Sequence, residues 1–225
     1  LKEILVLFKM SKNLKARIYT SIALFLTLTI IMINNYALAF FLMLIGIFSI
    51  LEFFNIILKI FKKKKIQQFF YNLFFSLYVF IFCTYFFALS FFFHLKISLF
   101  LILITCVASD IGGFIFGKIF KGPKLTRISP NKTITGVAGS IIFSSFAISS
   151  VFYLISKSFD PYIILIGCLT SISCQIGDLF FSFLKRKSYL KDSGNFLPGH
   201  GGILDRIDGI LLGVPVGFLI LLLFY

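Results

Sequence analysis

Residues 18–51 read IYTSIALFLTLTIIMINNYALAFFLMLIGIFSIL, a run of 34 residues without one charge. A helix crossing a bilayer needs about 20 apolar residues, with a range of about 17–25, so this run is too long for one span. The pair Asn34-Asn35 offers a polar turn inside it, which predicts helices over about 18–33 and 36–58. Reading outward by the same rule gives further spans at about 69–93, 97–117, 134–156, 161–183 and 209–225, seven in all. The expected fold class is all-α, a polytopic integral membrane protein of about seven transmembrane helices, with residues 1–225 forming a single membrane domain.

Composition agrees. The chain of 225 residues is 59% hydrophobic and 13% charged, with a mean hydropathy of +1.03, whereas a soluble domain is about 45–50% apolar and about 25% charged. A soluble globular protein is therefore excluded. The 22 Lys and Arg against 8 Asp and Glu give a net charge of +14, which must be segregated from the apolar mass. Such cationic loops suit anionic lipid headgroups or an anionic substrate. Cys83, Cys106, Cys168 and Cys174 stand singly in apolar stretches and read as small buried hydrophobes. The 33 Phe read as lipid-facing or packing bulk, and His94 as solvated.

Lys and Arg near span ends are retained on the cytoplasmic side, and seven spans alternate sides. The N-terminal segment carries Lys2, Lys9, Lys12, Lys15 and Arg17, and the second loop Lys59 and Lys62 to Lys65. The fourth loop carries Lys118, Lys121, Lys124, Arg127 and Lys132, and the sixth Lys185, Arg186, Lys187, Lys191 and Arg206. These make 20 of the 22 cations on one face; only Lys96 and Lys157 fall on the other. The expected topology has a cytoplasmic N-terminus and an external C-terminus. Ala37-Leu38-Ala39 has the look of a signal-peptide cleavage site, but it sits inside the second apolar run, and cleavage there would spoil the alternation.

The scarce acids carry more information. Asp110 and Asp178 fall within or at the ends of apolar spans, where insertion costs about 2.5–3.5 kcal/mol for Asp at a helix centre. Both lie toward the cytoplasmic ends. Asp178 forms an i, i+4, i+7 line with Ser182 and Lys185 on one helical face, pointing at the sixth loop. There Pro198-Gly199-His200-Gly201-Gly202 leaves backbone N–H groups open to an anion, and the helix that follows adds its positive end. Phosphate is the obvious anion. Asp205 and Asp208, spaced i, i+3 at that helix start, make sense amid cations if a hard divalent metal sits between carboxylates and substrate phosphates; salt bridges stabilising a loop are the alternative. In the fourth loop, Ser129-Pro130 reads as an N-cap and first helical residue, with Lys132 and Thr133 making a second phosphate cradle on the same face.

Ser182-x-x-Lys185-Arg186-x4-Lys191-Asp192-x5-Pro198-Gly199-His200-Gly201-Gly202-x-x-Asp205-Arg206-x-Asp208 resembles the signature of the phosphatidate cytidylyltransferases, or CDP-diacylglycerol synthases, over 27 residues without a gap. Asp110-x-Gly-x-Phe114-x-x-Gly117 and Ser129-Pro130-x-Lys132-Thr133 also resemble that family, in its usual order, so the resemblance covers about 105–215. Gly113-Phe114 departs from the family's frequent Ala-Tyr, and members commonly carry more spans before this core. The resemblance implies transfer of the cytidylyl group of CTP to phosphatidate in phospholipid biosynthesis, giving CDP-diacylglycerol and diphosphate, with Mg²⁺ as cofactor and a second metal ion left open. It implies 1–96 as N-terminal membrane helices and 97–225 as the catalytic core, with cytoplasmic loops 118–133 and 184–208, in the inner cell membrane.

On that reading Asp178 and Asp205 are the metal ligands, with Asp208 third or just behind them. Asp178, Asp205, Lys185, Arg186 and Arg206 form the catalytic set. Ser129, Lys132, Thr133, Ser182, Lys191, Gly199, His200, Gly201 and Gly202 hold phosphates, His200 mainly by organising its loop, and Asp110 and Asp192 support. Partners are CTP, phosphatidate and the bilayer, with no nucleic acid and a homodimer left open. A cation-coupled transporter using the intramembrane Asp residues is the alternative; it would favour broken helices and a midplane site.

Overall fold

The computed structural model describes residues 29–126, 128–129, 132–194, 196 and 201–225. Among them are six helices long and apolar enough to cross a membrane: α1 (Asn35–Ile60), α2 (Lys65–Leu89), α3 (Phe93–Phe120), α4 (Ile134–Ser156), α5 (Pro161–Lys187) and α6 (Leu204–Phe224). No β-strand occurs among the described residues, so the chain is an all-helical, multi-pass membrane protein. The expected span at 18–33 lies outside the described residues except for 29–33, which are helical.

Local chemistry explains three of the helix starts. Asn34 interrupts the long apolar run as a single residue, and its Oδ1 accepts from Tyr36 N at 2.8 Å, capping α1. Ala37 to Ala39 lie inside α1. Asp160 caps α5 through Tyr162 N at 2.9 Å, with Pro161 in the first turn. Two expectations need correction. The second hairpin of helices is shifted toward the N-terminus: α2 covers 65–89 rather than 69–93, because Lys65 is a good helix former and the turn falls at Ser90-Phe91-Phe92, an apolar stretch that hydropathy reads as span. Ser129 does not cap α4. Residues 123–125 run antiparallel to 132–134 as the two arms of a hairpin, with Leu125 N donating to Lys132 O at 2.8 Å and Ile134 N to Pro123 O at 3.0 Å. The helix cannot start until Thr133, whose Oγ1 accepts from Gly136 N at 3.1 Å.

The helices alternate in direction. At one end Gly117 of α3 meets Thr133 and Gly136, Lys132 meets α5, and α5 meets α6 through ion pairs. At the other end Lys96 Nζ donates to Asn35 Oδ1 at 2.7 Å and the Tyr225 hydroxyl donates to Asp160. Every described cation except Lys96 and Lys157 therefore belongs to the first end.

Lipid tails are as apolar as Leu, so helices in a membrane associate by close packing rather than by hydrophobic gain. The α3–α4 contact follows this rule. Gly112 packs on the Gly139 carbonyl, Gly113 on Ser140, and Gly139 on the Phe116 ring, each so close that an added Cβ would overlap. Ser109 and Ser171 share a buried hydrogen bond of 2.8 Å between α3 and α5. Phe53, Ile56, Ile57, Phe75, Phe181, Leu204 and Leu211 form an apolar cluster near the cationic end, joining α1, α2, α5 and α6. Large side chains such as Phe69, Phe80, Phe114 and Phe146 stay exposed on the outer surface, as lipid-facing positions would. All four cysteines are free.

Candidate active site

The cationic end holds a half-open cavity of about 220 Å³ between α3, α4 and α5, lined by Asp110, Gly113, Phe114, Lys132, Thr133, Gly136, Val137, Ser140, Gln175 and Asp178. The small residues that let α3 and α4 approach also make its floor. Lys132, at the end of the hairpin, reaches across to α5, and its Nζ lies 2.7 Å from Asp178 Oδ2. Thr133 and Gly136 at the start of α4 line the same cavity, with the Thr133 hydroxyl accepting from Gly136 N and Ile134 N bonded to the Pro123 carbonyl.

A second cluster lies where α5 meets α6. Lys185 Nζ sits 2.6 Å from Asp205 Oδ1 and 3.7 Å from Asp208 Oδ2, with all three side chains mostly buried. Asp205 Oδ2 accepts from Ser193 N at 2.8 Å and Gly202 N at 3.1 Å. The clusters adjoin. Asp208 neighbours Asp178, and Gly209 packs so tightly on Asp178 that an added Cβ would lie 2.9 Å from its Oδ1. Gly177 approaches the Asp208 carbonyl in turn. Lys185, Arg186 and Lys187 occupy the last turn of α5, where the helix dipole favours cations.

Among the described residues no three acids, histidines or cysteines stand as a ready metal cluster; Asp178 and Asp205 each face a lysine. Arg186 Nε donates to Ile128 O at 3.4 Å, tying α5 to the hairpin. Ser182 is half-buried one turn beyond Asp178, and Lys191, Asp192 and Arg206 are exposed at the same end. Asp192 borders Gly201, whose φ of +84° suits glycine. Ser129 sits in the hairpin, its N–H donating to Thr126 Oγ1 at 3.3 Å. Gly199 and His200 lie outside the described residues.

Sequence reasoning missed Glu52. It is 1% exposed in α1, and its oxygens accept from Ser193 Oγ at 2.6 Å, Ile203 N at 3.0 Å and Leu204 N at 2.9 Å. The first free N–H groups at α6, read from sequence as part of a phosphate cradle, are thus met by the protein's own carboxylate. The signal was available: an acid inside an apolar run is costly and marks a function.

A family model described as the cytidylyltransferase family matches residues 1–224. The chain is 44% identical over 120 residues to the phosphatidate cytidylyltransferase of Bacillus subtilis, covering 52% of this chain and 44% of that protein. It is 41% identical over 127 residues to the phosphatidate cytidylyltransferase of Mycobacterium leprae, covering 55% and 40%. The Rickettsia bellii phosphatidate cytidylyltransferase is 40% identical over 119 residues, covering 49% and 52%. The chain spans about half the length of these curated relatives. Matched almost from end to end, the chain belongs to the cytidylyltransferase family.

Proposed function

We propose that the protein transfers the cytidylyl group of CTP to phosphatidate, forming CDP-diacylglycerol and diphosphate, in the inner cell membrane with the site facing the cytoplasm. The observation that carries this is the joining of a cation-gated cavity to a cluster of carboxylates at the cationic end of a membrane bundle. Relatives named phosphatidate cytidylyltransferase support the substrate pair. A site at that end can take a headgroup from the bilayer surface and a nucleotide from water. The transporter alternative finds no support: the matched family is one of cytidylyl transfer.

In the reaction, a phosphate oxygen of phosphatidate attacks the α-phosphorus of CTP, and the bond to the β-phosphate breaks to release diphosphate. A phosphate monoester has a second pKa of about 6, so phosphatidate is already largely a dianion at pH 7 and needs no general base. The barrier is the approach of two polyanions. Lys132 offers one phosphate its counter-charge within the cavity. Lys185, Arg186, Lys191 and Arg206 line the way from the α5–α6 junction, Arg giving the planar two-pronged contact.

Mg²⁺ is usually held by one or two carboxylates plus substrate phosphates, and the Asp178–Asp208 pair offers that many. Asp178 and Asp208 are adjacent carboxylates on two packed helices, and Asp205 stands one turn before Asp208. Hard oxygen donors brought together in this way are relieved by a divalent cation. Asp178, Asp205 and Asp208 would hold it, with Asp110 at the cavity wall, and the ion would neutralise phosphate charge as the leaving group departs. Lys132 and Lys185 would then be freed from carboxylates to face phosphates.

Purified protein incubated with phosphatidate vesicles and CTP should form CDP-lipid with Mg²⁺ and stop on addition of chelator. No CDP-lipid under any metal condition would overturn the proposal.

A further inference from the structure

Helix α6 begins without a cap of its own: the residue preceding it is Ile203, and no side chain of the local sequence accepts from its first turn. Exposed N–H groups at a buried helix start need partners. They find them on a different element. Glu52 of α1, some 150 residues earlier in the chain, accepts from Ile203 N at 3.0 Å and Leu204 N at 2.9 Å, and from Ser193 Oγ at 2.6 Å.

The surrounding sequence is shaped to this carboxylate. A Cβ at Gly194 or Gly202 would overlap the Glu52 oxygens, so both glycines leave the volume the carboxylate fills. Around it, Phe53, Ile56 and Ile57 of α1 pack with Leu204 and Leu211 of α6. An apolar residue at 52 would satisfy that packing at less desolvation cost, since burying a charge is repaid only when it is fully hydrogen-bonded. The carboxylate therefore contributes something that packing does not.

We infer that Glu52 is a positioning residue for the active site, fixing the N-terminus of α6 and its tie to Ser193 so that Asp205 and Asp208 face Lys185 and Asp178. Ser193 and the start of α6 are clamped twice. Glu52 takes the Ser193 hydroxyl and the amides of 203 and 204, and Asp205 takes the Ser193 and Gly202 amides. Asp205 is the residue directly after Leu204, so a shift of the amides held by Glu52 is passed to its carboxylate. The inference rests on the proposed cytidylyl transfer for its kinetic consequence but not for its structural one.

Two readouts separate these. In the full-length protein, Glu52→Ala should lower kcat on the order of 10²-fold, the scale of a misplacement of about 1 Å, with KM for CTP within about threefold of wild type because residue 52 does not touch the cavity. Glu52→Gln keeps an acceptor and the volume and should recover part of the lost kcat. Independently of substrate, hydrogen exchange at the Ile203 and Leu204 amides should quicken about tenfold or more in Glu52→Ala, the loss of charge-assisted hydrogen bonds, and less in Glu52→Gln. If Glu52→Ala fails to fold, Glu52→Gln decides through exchange alone. Unchanged exchange in a folded variant, wild-type kcat in Glu52→Ala, or no recovery in Glu52→Gln overturns the inference. A wild-type protein inactive toward CTP and phosphatidate would instead overturn the proposed function, leaving the exchange result to judge Glu52.

Discussion

Asp178 and Asp205 each give a carboxylate oxygen to a lysine, at 2.7 and 2.6 Å, and the two pairs serve different ends. Asp178 faces the cavity, whereas Asp205 is also bonded to two loop amides. Asp178→Asn should lower turnover on the order of 10²–10³-fold, the scale of removing one charged group from a reacting centre, while membrane insertion and thermal midpoint hold; near-normal activity would remove Asp178 from the site. Asp205→Asn should lose turnover similarly and also loosen the tie to Ser193 and Gly202, measurable as faster exchange of their amides. Lys132→Met should raise KM for CTP about tenfold or more, the worth of one charged hydrogen bond, and an unchanged KM would place the nucleotide elsewhere. Asp178 stood out in the sequence because an acid in an apolar span is conspicuous, and Lys185 and Asp205 because they fall in a loop where cations, glycines and carboxylates gather. Glu52 is an acid in an apolar span as well, but its partners are some 150 residues away, at 193, 203 and 204, where no local pattern points to it.

Among the helices, the α3–α4 seam does the most to shape the cavity. Gly113 and Gly136 line it, and Gly139 touches the Phe116 ring. Gly139→Ala should therefore destabilise the protein by about 1–3 kcal/mol, the cost of overpacking a tight contact, read as a lower unfolding midpoint in detergent; an unchanged midpoint would show that α3 and α4 can separate freely. The spans themselves were legible from uncharged runs, and α4 begins at residue 134 as expected. Helix ends were less so. The turn at Ser90-Phe91-Phe92 contains no charge to announce it, and Thr133 displaced Ser129 as the cap of α4 because a hairpin, invisible to local propensity, holds residues 125 and 132 together.

Over the whole molecule, the net charge of +14 divides between the two ends of the bundle, and only Lys96 and Lys157 among the described cations belong to the end away from the cavity. With the cationic end cytoplasmic, a cysteine placed beside Lys157 should react with an impermeant thiol reagent in intact cells, and one placed beside Lys124 only after lysis; the reverse pattern would invert the topology. Part of the cationic excess is explained by topology alone, in the run Lys62 to Lys65. Lys132 and Lys185 stand at the cavity and the α5–α6 junction, where they would meet phosphates in the proposed reaction. The most direct test of that claim follows the phosphorus atoms of CTP. With phosphatidate vesicles and Mg²⁺, label at the α-phosphate should pass into the lipid fraction while label at the γ-phosphate leaves as diphosphate, in equal amounts. Alpha label that stays in water, or γ label that enters the lipid, would contradict cytidylyl transfer at this site.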